Sequence, residues 1–308
     1  MRERKIKQPV VSITRSDTEQ QSLRDCLNLL PVGEIIHKGD KVVITPNWVT
    51  AKSPSTGAVV GPETLRELIK YVKVFQPREI IIATGSGGDE TKKIFEMIGY
   101  DKIIKEEDVA FIDLNYGPYT ELELEHDIIS KTKINSLIDE MDVLISFTQL
   151  KQHEEATISA SIKNIALSWP PAEIHGFPKK QTGIHEDLHG FIVAMAKKIP
   201  IDIAIISVDK AMIGTGPSNG IAVDTNGLII ASTDAVAADT IGARLLGYLP
   251  QAVHYLYSLS KCKVGEADPN QMIFKGISLE EAEIIFSEAA YHQEIVLDKG
   301  KITGIHAE

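Results

Sequence analysis

Lys151 and His153 stand two apart just beyond an apolar run, and Lys163 and Asn164 follow in the same stretch. In extended chain an i,i+2 pair projects to one side, so this ammonium and imidazole face the same way. Lysine neutralises a carboxylate or phosphate; imidazole exchanges protons near neutral pH or ligates a metal. Four of the nine histidines, His153, His175, His185 and His189, fall between Phe147 and Gly190. The concentration points to a pocket for a small anionic molecule. His153, His175 and Lys163 are its expected catalytic groups, with Lys151 and Asn164 binding the ligand. Taken singly, each has a plainer reading: His153 as a solvated loop residue, Lys163 on a solvated helix face, His175 in a turn beside Gly176.

His185-Glu186-Asp187-Leu188-His189 spells H-E-x-x-H, which on a helix sets two histidines on one face for a divalent metal. A zinc protease needs a further ligand downstream, yet no glutamate occurs between Gly190 and Gly265, and Met195 and Lys198 occupy the neighbourhood of the extended motif. Some other metal use of His185 and His189 stays open.

Gly85, Gly87 and Gly88 form a glycine-rich turn between an apolar run and a helical pattern, a place where backbone N–H groups can meet an anion. It is neither GxGxxG nor a P-loop, and Asp89 and Glu90 would repel a phosphate. The alternative is a tight turn with Asp89 or Ser86 as helix cap. Asn47 after an earlier run, and Gly214 and Gly216 in a later turn-rich loop, complete the expected ligand-binding set. Asp234 suits a helix N-cap, whereas Asp239 among alanines could face a pocket.

The elements that must position these groups read as α/β, a mainly parallel sheet flanked by helices. Strands are expected at Val10–Thr14, Lys41–Thr45, Glu79–Ala83, Val109–Asp113, Asp142–Phe147, Ile201–Val208 and Leu228–Ala231. Several are apolar throughout, as strands buried on both faces are. Helices are expected at Gly61–Val74, Asp89–Met97, Ser136–Met141, His185–Lys198, from Asp234 to Leu246, and at Leu279–Ala289. Between them Thr148–Gly183 reads as a long irregular stretch, and Lys299-Gly300 as a closing hairpin turn. Without repeats or linkers, the chain reads as one unit with lobes at about 1–148 and 149–308.

The 308 residues suffice for a sizeable core, and 43% hydrophobic with 24% charged content is ordinary for a globular protein. A net charge of −11 excludes a duplex-wide nucleic-acid surface while leaving room for a local basic pocket. Two cysteines, Cys26 and Cys262, form no CxxC and read as reduced thiols. No iron–sulfur cluster is expected from them. With no signal-peptide core and no membrane-length apolar run, the expected address is the cytoplasm, with no membrane partner. The oligomeric state is not legible.

Pro46-Asn47, the Gly85–Gly88 turn, Lys151-x-His153, Ser161-Ile162-Lys163-Asn164, the His185 region, Gly214-x-Gly216-Pro217-x-x-Gly220 and Ala231-Ser232-x-Asp234-x-Val236-Ala237-x-Asp239 occur in that order. Together they resemble the prokaryotic DUF362 family over roughly Lys41 to Val264. The resemblance implies an α/β fold and highlights the same lysine–histidine stretch without supplying an activity. Relatives commonly show Lys-Thr-His where this chain has Lys151-Gln152-His153, which keeps the charged pair. Many members carry a ferredoxin-like module; this chain lacks the cysteines for one, so cluster-borne electron transfer is not carried over. The expected function is an enzyme on a small anionic metabolite, with or without a divalent metal. The alternatives are a non-catalytic small-ligand sensor and, by family analogy alone, a redox-associated protein.

Overall fold

A computed structural model describes residues 3–300 of the chain. In chain order the first half holds β1 (Val10–Thr14), α1 (Glu19–Asn28), β2 (Lys41–Pro46), α2 (Pro62–Lys73), β3 (Glu79–Thr84), α3 (Thr91–Ile98), α4 (Tyr100–Glu106) and β4 (Ala110–Asp113). A small hairpin, β5 (Tyr119–Glu123) and β6 (Lys131–Asn135), leads through α5 (Leu137–Glu140) to β7 (Val143–His153) and β8 (Thr157–Ser159). Then come α6 (Ser161–Ser168), α7 (Ala172–His175), α8 (Leu188–Lys198), β9 (Ile203–Ile213), β10 (Ile221–Asp224) and β11 (Ile229–Ser232). The last elements are α9 (Ala235–Leu245), α10 (His254–Lys261), β12 (Ile273–Gly276) and α11 (Leu279–Tyr291).

Ten strands form one sheet in the order β12-β1-β11-β9-β7-β2-β3-β4, with β10 beside β9 and β8 beside β7. The pairs from β9 through β7, β2 and β3 to β4 are all parallel. β11 pairs antiparallel with both β1 and β9. Strand alternation sends Val42 and Ile44 into the core on one face and Val43 into the core on the other. Helices cover both cores, which is why these strands read as unbroken apolar runs. The chain runs from β2 outward to β3 and β4, then returns to place β7 on the other side of β2. That reversal makes the carboxyl ends of β2 and β7 a topological switch point, where open α/β sheets leave a crevice.

Four expectations need correction. The stretch expected to be irregular is largely structured: β7 continues through Thr148 to His153 and turns into β8, and α6 and α7 follow. Its polar residues hid this, because Lys151, Gln152 and His153 find ladder partners in Ser159, Ile158 and Thr157. The helix expected from His185 begins at Leu188, where the Asp187 carboxylate accepts from Gly190 N–H and Gly190 stands in the first turn. β9 extends to Ile213 because β10 pairs with Lys210 to Ile213, carrying the strand past the polar Asp209-Lys210 step. A lobe boundary at Thr148 falls inside β7, at a fully buried residue in mid-sheet. Leu297–Gly300 form a 3-10 turn, and the rest of the expected closing hairpin lies outside the described residues. Among the described residues no helix is long and apolar enough to cross a membrane.

Candidate functional site

A cavity of about 320 Å3 opens at the carboxyl ends of β2, β3 and β7. Asn47, Gly85, Gly87 and Gly88 line one wall; Lys151, His153, Lys163 and Asn164 line another. Lys179, Lys180 and His185 come in from the loop after α7. Larger concavities of about 940 Å3 and 740 Å3 lie elsewhere, but their chemistry is less pointed. In the first, Arg4, Lys7 and Lys197 are already ion-paired with Asp234, Glu3 and Glu125. The second runs beside β4, where Phe95, Phe111, Tyr116 and Phe177 alternate with the carboxylates of Glu90, Glu96, Asp113 and Glu173, and it holds one lysine, Lys92.

Lys151 sits on the β7 extension, only 1% exposed, and its Nζ donates to the Ala58 carbonyl at 2.8 Å. Burial pulls its ammonium down to about 7, and the charge of Lys163 pulls the same way. Lys179 is also buried, donating to Gly85 O at 2.8 Å and Leu167 O at 2.9 Å. Burial lowers it to about 7, with the Asp113 carboxylate opposing. The carbonyl acceptors favour the charged form of both while desolvation opposes it, so each lysine changes charge near neutral pH. Lys163, half-buried in the first turn of α6, makes no hydrogen bond or ion pair with any described residue. Desolvation lowers it to about 8; Glu155 raises it and Lys180 lowers it.

His153 has a fixed tautomer. Its Nδ1 accepts the backbone N–H groups of Glu155 and Ala156, both at 3.1 Å, so the ring proton belongs on Nε2. Burial lowers this histidine to about 2, helped by Lys163, Lys151, His185 and Lys180. It is therefore a neutral donor at physiological pH rather than a base. At the mouth, Glu155 accepts from Lys180 at 3.2 Å and pairs with His185 Nδ1. These contacts tie the β7–β8 turn to the loop after α7.

The remaining expected residues separate into supports and bystanders. Asn47 donates to Ala58 O at 2.8 Å and accepts from Gln149 N–H at 3.0 Å; Asn164 donates to Thr45 O at 2.8 Å. Both amides line the cavity while bracing the end of β2. His175 lies off the cavity, buried between the hydroxyls of Thr132 and Thr182 and lowered by burial to about 4. It braces β6 against α7 and the loop that follows. His185 and His189 do not share a helix face, since His185 precedes α8 and His189 packs against His254 and Tyr255. Among the described residues no group of three or more His, Cys, Asp or Glu side chains is arranged to hold a metal ion.

A Cβ at Gly85 would come within 2.7 Å of the Ser168 carbonyl and 2.8 Å of Asn115 Oδ1, and one at Gly88 would strike the Val49 carbonyl. The turn therefore needs glycine for close backbone approach. Neither Asp89 nor Ser86 caps α3, whose N-cap is Glu90. Asp89 instead binds Ala51 N–H at 2.9 Å, Lys93 and Thr50, contacts that lower its carboxyl to about 2. Its charge is thereby engaged with other partners. Gly214 and Gly216 do not line the cavity; Gly216 packs on the Gln152 carbonyl, and their neighbours Pro217 and Ser218 reach the rim. Asp234 caps α9 through Val236 and Ala237 N–H groups. Asp239 faces no pocket but binds the start of α6. The sequence reading missed Lys179, Lys180 and Glu155. The lysines' only signal was a place in the same stretch, after Gly176-Phe177-Pro178, where adjacent lysines ordinarily read as solvated, and that of Glu155 was its place two residues after His153.

Fold and cavity together define an α/β protein with a cation-lined cleft at a sheet switch point. Residues 42–244 match the family model described as Domain of unknown function (DUF362), and the chain belongs to that family. The match contains every residue lining the cleft. The chain is similar to the thylakoid-associated protein sll1697 of Synechocystis sp., at 24% identity over 250 residues, 79% of this chain and 76% of that protein. Among solved structures it is similar to the lactate racemase apoprotein from Thermoanaerobacterium thermosaccharolyticum. That likeness has a TM-score of 0.45 and 20% identity, over 78% of this chain and 57% of the other, little more than half of its length.

Proposed function

We propose that this chain is an enzyme acting on a small anion, of carboxylate or phosphate class, held in the cleft at the ends of β2, β3 and β7. The reading rests on one observation: the ammonium groups of Lys151, Lys163 and Lys179 and the imidazole of His153 line a single cavity of about 320 Å3. Collecting cations where water is scarce is costly unless an anion joins them. Lys151 and Lys179 hold their places through main-chain carbonyls, and a bound anion would favour their ammonium forms. His153 offers its Nε2–H. Lys163, near 8 and with no side-chain hydrogen bond or ion pair among the described residues, exists partly as free amine and can take or return a proton without giving up a protein partner. Negative charge developing on the substrate would meet preorganised ammonium groups in a partly desolvated site, where they act most strongly.

A second reading, a non-catalytic anion sensor, is favoured by the neutral His153, which is not poised to shuttle protons. Thermal melts with inorganic phosphate, pyruvate and lactate test the shared part. Stabilisation by at least one of them, lost in Lys151→Met, is expected. No stabilisation by any of these anions would sink both readings. Exchange of substrate C–H hydrogen with deuterated solvent, abolished in Lys163→Met, separates the enzyme from the sensor.

A further inference from the structure

We propose that Lys163 is a nucleophile that forms an imine with the carbonyl carbon of an anionic aldehyde or ketone, a 2-oxo acid being the simplest substrate of this class. The inference rests on the anion-binding reading and deepens it. Four lysines line the cleft, and three are engaged. Lys151 donates to Ala58 O, Lys179 to the carbonyls of Gly85 and Leu167, and Lys180 to Glu155. Lys163 makes no hydrogen bond or ion pair among the described residues. The division has a chemical sense: engaged ammonium groups hold an anion, whereas an amine must keep its lone pair free to attack carbon. Desolvation by burial favours that free amine, Glu155 opposes it and Lys180 assists it. α6 holds the residue in place, because its first turn is bound by the Asp239 carboxylate.

In the step, Lys163 Nζ adds to the carbonyl carbon and the C=O π pair moves to oxygen. The amine proton lost on addition and a proton from the Lys151 ammonium are accounted for separately: the first neutralises the alkoxide, the second protonates the resulting hydroxyl. Water leaves, the C=N bond forms, and solvent reprotonates Lys151. No oxidant or reductant is needed. His153 Nε2–H is available to donate to the carbonyl oxygen.

The test treats the full chain with pyruvate and then sodium borohydride at mildly alkaline pH, followed by intact mass and peptide mapping. One adduct per chain on Lys163 is expected, reduced about tenfold or more by competing phosphate and in Lys163→Arg, which keeps the charge but cannot form the imine. A melt of each variant with phosphate runs alongside. Phosphate stabilisation without a Lys163 adduct overturns the imine and leaves the anion site standing. Neither stabilisation nor adduct overturns both. Labelling spread equally over exposed lysines also overturns the imine.

Discussion

Asp239 Oδ1 lies 2.8 Å from the backbone nitrogen of Ser161 and also accepts the Ser161 hydroxyl. Its second oxygen accepts the Ile162 N–H at 3.1 Å and the Tyr255 hydroxyl at 3.2 Å. A carboxylate of α9 thus supplies the acceptor that the start of α6 lacks in its own sequence, where the N-cap is Ala160. Since Lys163 and Asn164 belong to that first turn, Asp239 is a positioning residue for the cleft. Burial lifts its carboxyl to about 6 despite four donors.

Asp239→Ala leaves two buried N–H groups and two hydroxyls without their acceptor. The expected loss is about 2–4 kcal/mol in urea unfolding, with a smaller loss in Asp239→Asn, which keeps one acceptor oxygen. Wild-type stability in the alanine variant would show that the cap contributes nothing.

The buried lysines make stability depend on pH with a definite sign. Lys151 and Lys179 fall from 10.5 to about 7 in the folded chain, so their contribution is fully present above 10.5 and is lost as pH drops through 7. Between about pH 7 and 10.5 the ligand-free protein should gain stability relative to Lys151→Met, whose curve lacks one of these titrations. Phosphate should flatten the difference by favouring the ammonium forms. Parallel melting curves for the two proteins across that range would refute it.

His153 should stay neutral through the whole physiological range. An NMR pH titration is expected to show the Nε2–H tautomer, with no protonation between pH 5 and 8, because the Nδ1 lone pair is engaged by Glu155 and Ala156 N–H groups. A midpoint near the ordinary histidine value would contradict the geometry.

Glu155 competes for cations at the mouth of the cleft. Glu155→Gln removes the partner of Lys180 and His185, and phosphate should then bind about two- to fivefold more tightly, the modest gain proper to partly exposed pairs. Calorimetric titration measures it; weaker binding would mean that Glu155 positions these groups instead of opposing the ligand.

The core strands announced themselves locally. Val10–Thr14 was legible to the residue, and the runs at Lys41 and Glu79 to within one, since a strand buried on both faces has to be apolar along its length. β7 was legible only to Phe147. Beyond it Thr148 to His153 are polar apart from Leu150, and whether such residues continue a strand depends on a partner that only the folded chain provides.

The same division runs through the cleft. Lysine and histidine types, and the i,i+2 spacing of Lys151 and His153, are properties of the chain itself, and they marked the right stretch. Which ammonium is engaged and which is free was decided by carbonyls of Ala58, Gly85 and Leu167, distant in sequence from the lysines they hold or joined to them by a folded loop. His175 and Lys179 lie in one short segment with nothing local to rank them, yet the first is locked between threonines and the second enters the cavity. Burial and hydrogen-bond partnership are long-range outcomes of packing, so residue type could propose the chemistry while tertiary structure alone assigned the roles.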